Sequence, residues 1–243
     1  MKKTLFAILV IAFIIPTTQA QLFNKTVLDD TNKPTTTAAP QTPAKTTENT
    51  SKNEPTALDT FMQGTKDLQA NFVQTVYSKR GAESSQGKMW IAKPGKFYWD
   101  YQKPNAQKII SNGKKVYHYD LDLEQISVRN RDELVGDIAV ELLNGDNNMT
   151  RNFKINRVVK NLAPARLQKQ IGNGVAYRLL PNTHQEEYES LWVVLDGNAI
   201  RAVMVDGGNN QTIISFSDMK RNVGIPAKQF EFTPPPGVDI VGK

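Results

Sequence analysis

The order of hydrophobic and polar positions predicts a chain built mostly from short strands. Phe97, Trp99 and Tyr101 alternate with a lysine, a tyrosine and an aspartate, which is typical of a half-buried strand with one aromatic face. Asn112-Gly113 separates two β-prone runs and is the strongest short signal for a hairpin turn. Similar runs continue towards the C-terminus, including a strand expected over residues 167–170. About ten or eleven short strands at regular spacing favour a strongly curved antiparallel sheet or barrel.

Two segments show helical periodicity. The first begins at Thr56, whose spacing to Asp59 resembles an N-terminal capping box. Its predicted apolar face comprises Leu58, Phe61, Met62, Thr65 and Leu68. The second has a wide apolar face made of Leu134, Val135, Ile138, Ala139, Leu142 and Leu143. Asn144-Gly145 is a typical helix end. Two short helices cannot cover both faces of such a sheet, but they could fill one concave side.

Residues 1–20 have the organisation of a secretory signal peptide. Two lysines precede the apolar run 5–15, and Thr18 and Ala20 are small residues suited to cleavage after Ala20. The apolar run is too short to cross a bilayer as a helix. An uncleaved N-terminal anchor is the alternative. We therefore expect export, which in a Gram-negative bacterium means the periplasm.

The next segment, residues 21–56, is rich in Thr, Pro and Asn and has almost no large apolar residue after Leu28. Such a segment cannot offset the entropy of ordering by burial, so we expect a disordered linker. A specific binding tail is the alternative. Residues 57–243 then form a single folded domain, and no second apolar stretch in the sequence approaches membrane length.

Composition narrows the range of functions. The net charge of +6 falls to +4 without Lys2 and Lys3, and this small, evenly spread surplus argues against nucleic-acid binding. Cysteine is absent, which excludes disulfides, thiolate nucleophiles, zinc thiolate sites and lipid attachment to a cysteine. The two histidines, His118 and His184, cannot form a His-rich metal cage. We expect neither a metal nor a cofactor.

The sequence also lacks the motifs of common enzymes. It contains no G-x-S-x-G, no H-E-x-x-H, no P-loop and no Rossmann glycine fingerprint. Strand alternation places His118 on the face opposite Tyr117 and Tyr119, where we interpret it as structural. A carboxylate pair for glycoside hydrolysis stays open, because spacing alone does not exclude one. We therefore expect a binding protein and not an enzyme.

Three motifs follow one another along the sequence. The first is Phe72-Val73-Gln74. The second is the segment 87–101, GKMWIAKPGKFYWDY, followed by Pro104, Ser111-Asn112-Gly113 and residues 116–120. The third is FEFTPPPGVD at residues 230–239. In this order the motifs resemble those of the LolA family of periplasmic lipoprotein carriers, in which the first corresponds to an early F-x-Q signature. The resemblance spans about residue 57 to the C-terminus.

The resemblance implies an unclosed antiparallel β-barrel, or half-barrel, with a few helices forming a lid over a hydrophobic cavity. It implies a monomer that accepts acylated lipoproteins from an inner-membrane ABC transporter of the Lol type. The carrier would shield the acyl chains and deliver the cargo to the outer membrane, through a LolB-type receptor where one is present. Such a receptor is itself anchored through a lipidated cysteine, so the carrier role fits this cysteine-free chain and the receptor role does not.

The resemblance also suggests site residues. The residues expected to line the lipid-binding cavity are Trp90, Phe97, Trp99, Tyr101 and Tyr117. The residues expected in the lid and its latch are Lys93, Leu134, Ile138 and Leu142. Lys93 stands where many members have an arginine that ties the lid to the barrel through lid carbonyls, here around residues 140–143. Lysine lacks the planar fork of arginine, so we expect a looser closed state.

Three other functions remain open. The first is a sensing module that binds lipids or lipoproteins on the same scaffold without shuttling them. The second is an enzyme acting on lipids or sugars. The third is a structural β-protein whose interior is an ordinary packed core, which is what aromatic strand patterns most often indicate.

Overall fold

The structure, a computed structural model, describes residues 56–131, 152–183 and 188–242. The predicted signal peptide, linker and second helix lie outside these residues. The described strands are β1 Asp67–Ser78, β2 Gly81–Ala92, β3 Lys96–Lys103, β4 Gln107–Asn112, β5 Lys115–Asp120, β6 Gln125–Asn130, β7 Phe153–Val158, β8 Val175–Pro181, β9 Ser190–Asp196, β10 Ala199–Asp206, β11 Gln211–Arg221 and β12 Asp239–Val241. The helices are α1 Ala57–Gln63 and α2 Ala165–Ile171, with short 3-10 turns at Lys160–Leu162 and Ala227–Phe230.

All twelve described strands belong to one sheet, in the order β12-β6-β5-β4-β3-β2-β1-β11-β10-β9-β8-β7. Neighbours are antiparallel except β12, which runs parallel to β6. The central pairing of β1 with β11 joins two antiparallel meanders, β1 to β6 and β7 to β11. Within this part of the chain the edge strands β12 and β7 do not pair with each other, so the sheet is not closed. The predicted mainly β, unclosed antiparallel architecture is confirmed.

Both faces of the sheet carry buried side chains. Along β9, Leu191, Val193 and Leu195 belong to the larger core, which also contains the apolar face of α1. Between them, Trp192 and Val194 belong to a smaller core with Leu167 and Ile171 of α2. We call the side with α1 the inner face and the side with α2 the outer face. Successive side chains of a strand point to opposite faces of the sheet, and this alternation separates the two cores.

Helix α1 begins as the sequence predicts. The Asp59 backbone N–H donates to Thr56 Oγ1 at 3.1 Å, and the Thr56 backbone N–H donates to Asp59 Oδ2 at 2.9 Å, which completes the capping box. The helix ends earlier than predicted, at Gln63 with Gly64 as C-cap. The Thr65 hydroxyl donates to the Phe61 carbonyl at 2.6 Å. In a continued helix the backbone N–H of Thr65 would use this acceptor. Leu68 consequently lies in β1.

Helix α2 corrects the strand predicted over residues 167–170. Leu167 and Ile171 lie four residues apart and are both buried on the outer face, which is helical spacing. Pro164 precedes the helix and Gly172 follows it with a φ of 53°. The run was too short for its periodicity to be distinguished from that of a strand.

The C-terminal segment covers the outer face at the other end of the sheet. The Phe232 ring lies 5.3 Å from the Tyr117 ring and 6.1 Å from the Tyr119 ring. Phe230 is almost fully buried, and the chain then returns to add β12 beside β6. Within the described part of the chain, no helix is long and apolar enough to span a bilayer.

Candidate functional site

The inner face carries a cluster of buried aromatic rings at the centre of the sheet. Trp99 and Tyr101 of β3 are 0% and 1% exposed. The Phe72 ring of β1 meets each of them edge-on at 4.8 Å. Phe216 of β11 lies 6.4 Å from Trp99, and Phe97 is buried in the same core. We call Phe72, Phe97, Trp99, Tyr101 and Phe216 the inner aromatic cluster.

Gly87 of β2 is needed for the approach of β3 that places Tyr101. The strand register shifts between Gln86 and Gly87, and Gly87 pairs with Tyr101. A Cβ added at Gly87 would lie 1.9 Å from the Asp100 carbonyl oxygen. Only a residue without a side chain permits this contact, so this glycine of the recognised motif has a packing role.

Two of the predicted cavity residues lie on the outer face instead. Trp90 lies between the inner-face residues Met89 and Ile91, and its ring packs 5.1 Å from that of its cross-strand partner Tyr98. Tyr117 packs on Phe232 of the C-terminal segment. The alternation of each strand sends both side chains away from the inner aromatic cluster. Phe97, Trp99 and Tyr101 are brought together, and their contact with lipid stays a prediction.

Sequence reasoning missed a set of polar side chains on the inner face. The Tyr101 hydroxyl donates to Gln74 Oε1 at 3.0 Å. His118 Nε2 lies 2.8 Å from Gln107 Oε1, and Gln74 and Gln107 are both buried. Gln74 lies two residues after Phe72 in the same short motif, and residues two apart in a strand share a face. This spacing could have placed Gln74 on the inner face. These contacts leave the inner face apolar in the cluster and polar beside it.

Burial controls the ionisation of His118. Removal from water lowers the pKa of the imidazole below 6.5, Asp120 opposes this shift, and Arg129 adds to it. The neutral ring hydrogen-bonded to Gln107 agrees with the structural role expected from sequence. On the outer face, burial and then the neighbouring Asp100 raise the pKa of Tyr98 to about 12, so this phenol stays protonated.

Two cations hold the C-terminal end of α1. Lys93 Nζ donates to the Met62 carbonyl at 2.9 Å. Arg221 Nη1 donates to the Phe61 carbonyl at 3.1 Å, and its guanidinium lies 4.6 Å from the centre of the Phe61 ring. Cations are favourable there because the last carbonyls of a helix carry partial negative charge. Sequence reasoning did not find Arg221.

Lys93 was expected to bond helix carbonyls around residues 140–143. That segment lies outside the described residues, as do Leu134, Ile138 and Leu142. The contact that the structure describes is with α1. The contact of Lys93 with α1 is separate from that latch, and the latch to residues 140–143 stays a prediction.

The side chains of the inner aromatic cluster are buried, each at most 6% exposed, and present an apolar environment. Beside it lie neutral hydrogen-bonding groups such as Gln74 and the Tyr101 hydroxyl. The described ranges contain no group of three or more His, Asp or Glu side chains able to hold a metal ion.

Comparison with known proteins places these features in a family. The family model for the outer membrane lipoprotein carrier protein LolA matches residues 63–233. An outer-membrane lipoprotein carrier protein from Chromobacterium violaceum is 33% identical over 185 residues, covering 76% of this chain and 85% of the relative. A relative of the same name from Dechloromonas aromatica is 32% identical over 190 residues, covering 76% and 86%.

A solved structure of a LolA superfamily protein from Nitrosomonas europaea matches with a TM-score of 0.41 and 9% identity, covering 72% of this chain and 96% of that one. The matches to the family model and to the curated relatives extend over most of the domain that contains the inner aromatic cluster. This chain therefore belongs to the LolA family of outer membrane lipoprotein carrier proteins.

Proposed function

We propose that this protein carries acylated lipoproteins through the periplasm, with their acyl chains bound against the inner face of the sheet. The observation that carries the proposal is the inner aromatic cluster, buried on one face of an unclosed sheet in a member of the LolA family. Aromatic rings provide a large apolar contact area. The names of the curated relatives support the same cargo.

The free energy of hydrating acyl chains explains why a carrier is needed. Each methylene transferred out of water contributes about 0.8 kcal/mol, so three chains of about fifteen carbons represent about 35 kcal/mol. A carrier must replace most of that water with apolar surface. It must also release the chains, and binding by hydrophobic contact permits this because the effect is not directional and forms no bond. Release then requires only a competing apolar surface.

The proposed route has an inner-membrane donor and an outer-membrane acceptor. The donor is an ABC transporter of the Lol type, and the acceptor is a LolB-type receptor or, without one, the outer membrane itself. In this proposal residues 1–20 direct export and are removed, residues 21–56 form a spacer, and residues 57–243 carry the cargo. The carrier works as a monomer without a cofactor and performs no covalent step.

Release of a radiolabelled lipoprotein from spheroplasts tests the proposal. The exported chain should release the lipoprotein into a soluble one-to-one complex. Phe97→Glu should abolish release, because it places a charge on the inner face among buried apolar side chains. Tyr98→Glu is the matched control, since this neighbour in β3 points to the outer face and should retain release.

Folding has to be monitored, because a buried charge also destabilises the domain. Phe97→Leu keeps an apolar side chain and should retain most of the release. The carrier proposal would be contradicted if the wild-type protein released no lipoprotein, or if a folded Phe97→Glu variant released as much as the wild type. Stable binding of lipoprotein without ATP-dependent transfer from the transporter would instead favour the sensing module.

A further inference from the structure

Among the residues that the structure describes, the indole N–H of Trp99 is a buried hydrogen-bond donor without an acceptor. Trp99 is 0% exposed, and its Nε1 has no hydrogen-bond partner among the residues that the structure describes. Nearly all buried polar groups in folded proteins are paired, so an unpaired one calls for an explanation. Trp192 shows the usual arrangement in this same chain, since its Nε1 donates to Ser190 Oγ at 3.2 Å on the outer face.

The described neighbours of Trp99 do not supply a strong substitute acceptor. The rings of Phe72, Tyr101 and Phe216 offer π faces, which accept hydrogen bonds weakly. Its cross-strand neighbours are Met89 and Ile109, a weak sulfur acceptor and an alkyl group. A neutral acceptor that entered this apolar environment would form a stronger hydrogen bond than the same pair in water.

We infer that Trp99 Nε1–H donates a hydrogen bond to the carbonyl oxygen of an acyl group in the bound cargo. The inference rests on the proposed function and adds a polar recognition point to it. A carbonyl joins each acyl chain to its head group, accepts hydrogen bonds and carries no charge. It is therefore the polar atom of the chain that an otherwise apolar site can admit. The bond would fix how far each chain enters, which hydrophobic contact alone does not.

The acyl carbonyl has two sources in a lipidated cysteine, the O-acyl ester and the N-acyl amide. Three synthetic lipopeptides distinguish them: a di-O-acyl peptide with a free amine, a peptide with an N-acyl chain and two ether-linked chains, and a peptide with two ether-linked chains and a free amine. Ether chains keep the hydrocarbon and remove the carbonyl. Affinities of the exported chain for each peptide should be measured by calorimetry or by competition with a fluorescent lipid.

Replacement of Trp99 by 3-benzothienylalanine removes the N–H and keeps the shape of the ring. We expect this replacement to weaken binding of the peptide that carries the recognised carbonyl by about tenfold and to leave the fully ether-linked peptide within about twofold. Trp99→Phe provides a second variant made of natural residues. Trp192→Phe is the control, because its N–H already has a partner on the outer face.

The indole resonances give an independent measurement. The Trp99 Nε1–H signal, assigned by its loss in Trp99→Phe, should move downfield when the carbonyl-containing peptide binds and stay in place with the fully ether-linked one. Equal loss of affinity for acyl and ether peptides, or an unmoved indole signal, would overturn the inference while leaving the carrier function intact. Failure of the wild-type protein to bind any of the lipopeptides would instead overturn the proposed function.

Discussion

Arg221 provides a quantitative test of how α1 is held on the inner face. Its guanidinium donates to the Phe61 carbonyl at 3.1 Å and to Thr65 Oγ1 at 3.4 Å. It also lies 4.6 Å from the centre of the Phe61 ring. Arg221→Met retains most of the apolar stem and removes the charge and the donors. The substitution therefore isolates the polar fastening of the helix.

The contacts set the expected size of the effect. A hydrogen bond from a charged donor contributes about 1.5–3 kcal/mol, and an exposed cation–π contact about 0.5–1 kcal/mol. In the variant the Phe61 carbonyl still accepts a hydrogen bond from the Thr65 hydroxyl at 2.6 Å, so no buried acceptor is left unpaired. The lower end of the range applies. We expect the free energy of unfolding to fall by about 2 kcal/mol.

Urea denaturation of the exported chain, followed by tryptophan fluorescence, measures this change. Arg201→Met is the matched control, because Arg201 pairs with Asp196 at 3.1 Å on the surface with side chains 51% and 36% exposed. Such surface pairs contribute little, so the control should lose at most about 0.5 kcal/mol. Amide exchange in α1 should accelerate in the Arg221 variant alone.

The reasoning is refuted if the two variants lose the same stability. It is also refuted if Arg221→Met is strongly destabilised while amide exchange in α1 stays unchanged. The second result would mean that the arginine stabilises the sheet and not the helix.

Three further substitutions test other parts of the structure. Gly87→Ala should lower the free energy of unfolding by about 3 kcal/mol, measured by urea denaturation, because its methyl group would overlap the Asp100 carbonyl. Lys93→Met should lower the free energy of unfolding by about 1.5 kcal/mol in the same assay, because it removes the donor to the Met62 carbonyl. Lys93→Arg keeps a donor and should lower it much less. The pKa of His118 in the folded protein lies below 6.5, so the unfolded chain binds the proton more readily and stability falls as pH drops through this value. His118→Gln should make that decline shallower when the free energy of unfolding is measured from about pH 7.5 to 5.5.

Local signals in the sequence predicted the elements that depend on local geometry. The Thr56–Asp59 capping box and the Asn112-Gly113 hairpin both appear where they were expected. The alternation of β3 correctly placed Phe97, Trp99 and Tyr101 on one face. In each case the controlling contacts lie within a few residues along the chain.

The differences between the predictions and the structure have other physical origins. Trp90 and Tyr117 were predicted to line the same cavity as Phe97, Trp99 and Tyr101, but strand alternation places them on the outer face. Helix α2 was missed because a seven-residue run carries only one repeat of helical spacing. Arg221 bonds a carbonyl 160 residues away in sequence, and no local pattern reports such a contact. The environment of the Trp99 indole likewise depends on neighbours from four other strands, β1, β2, β4 and β11.

Helix α1 is held by cations on two sides, and this affects which substitutions its attachment to the sheet tolerates. Lys93 reaches the helix from the end of β2 and Arg221 from the end of β11, on either side of β1. Each cation bonds a different carbonyl, so the loss of one leaves the other in place. This redundancy buffers the position of the helix against substitution at either site. The resemblance led us to expect an arginine at position 93. A lysine can occupy this position while α1 stays attached to the sheet, because Arg221 also holds the helix.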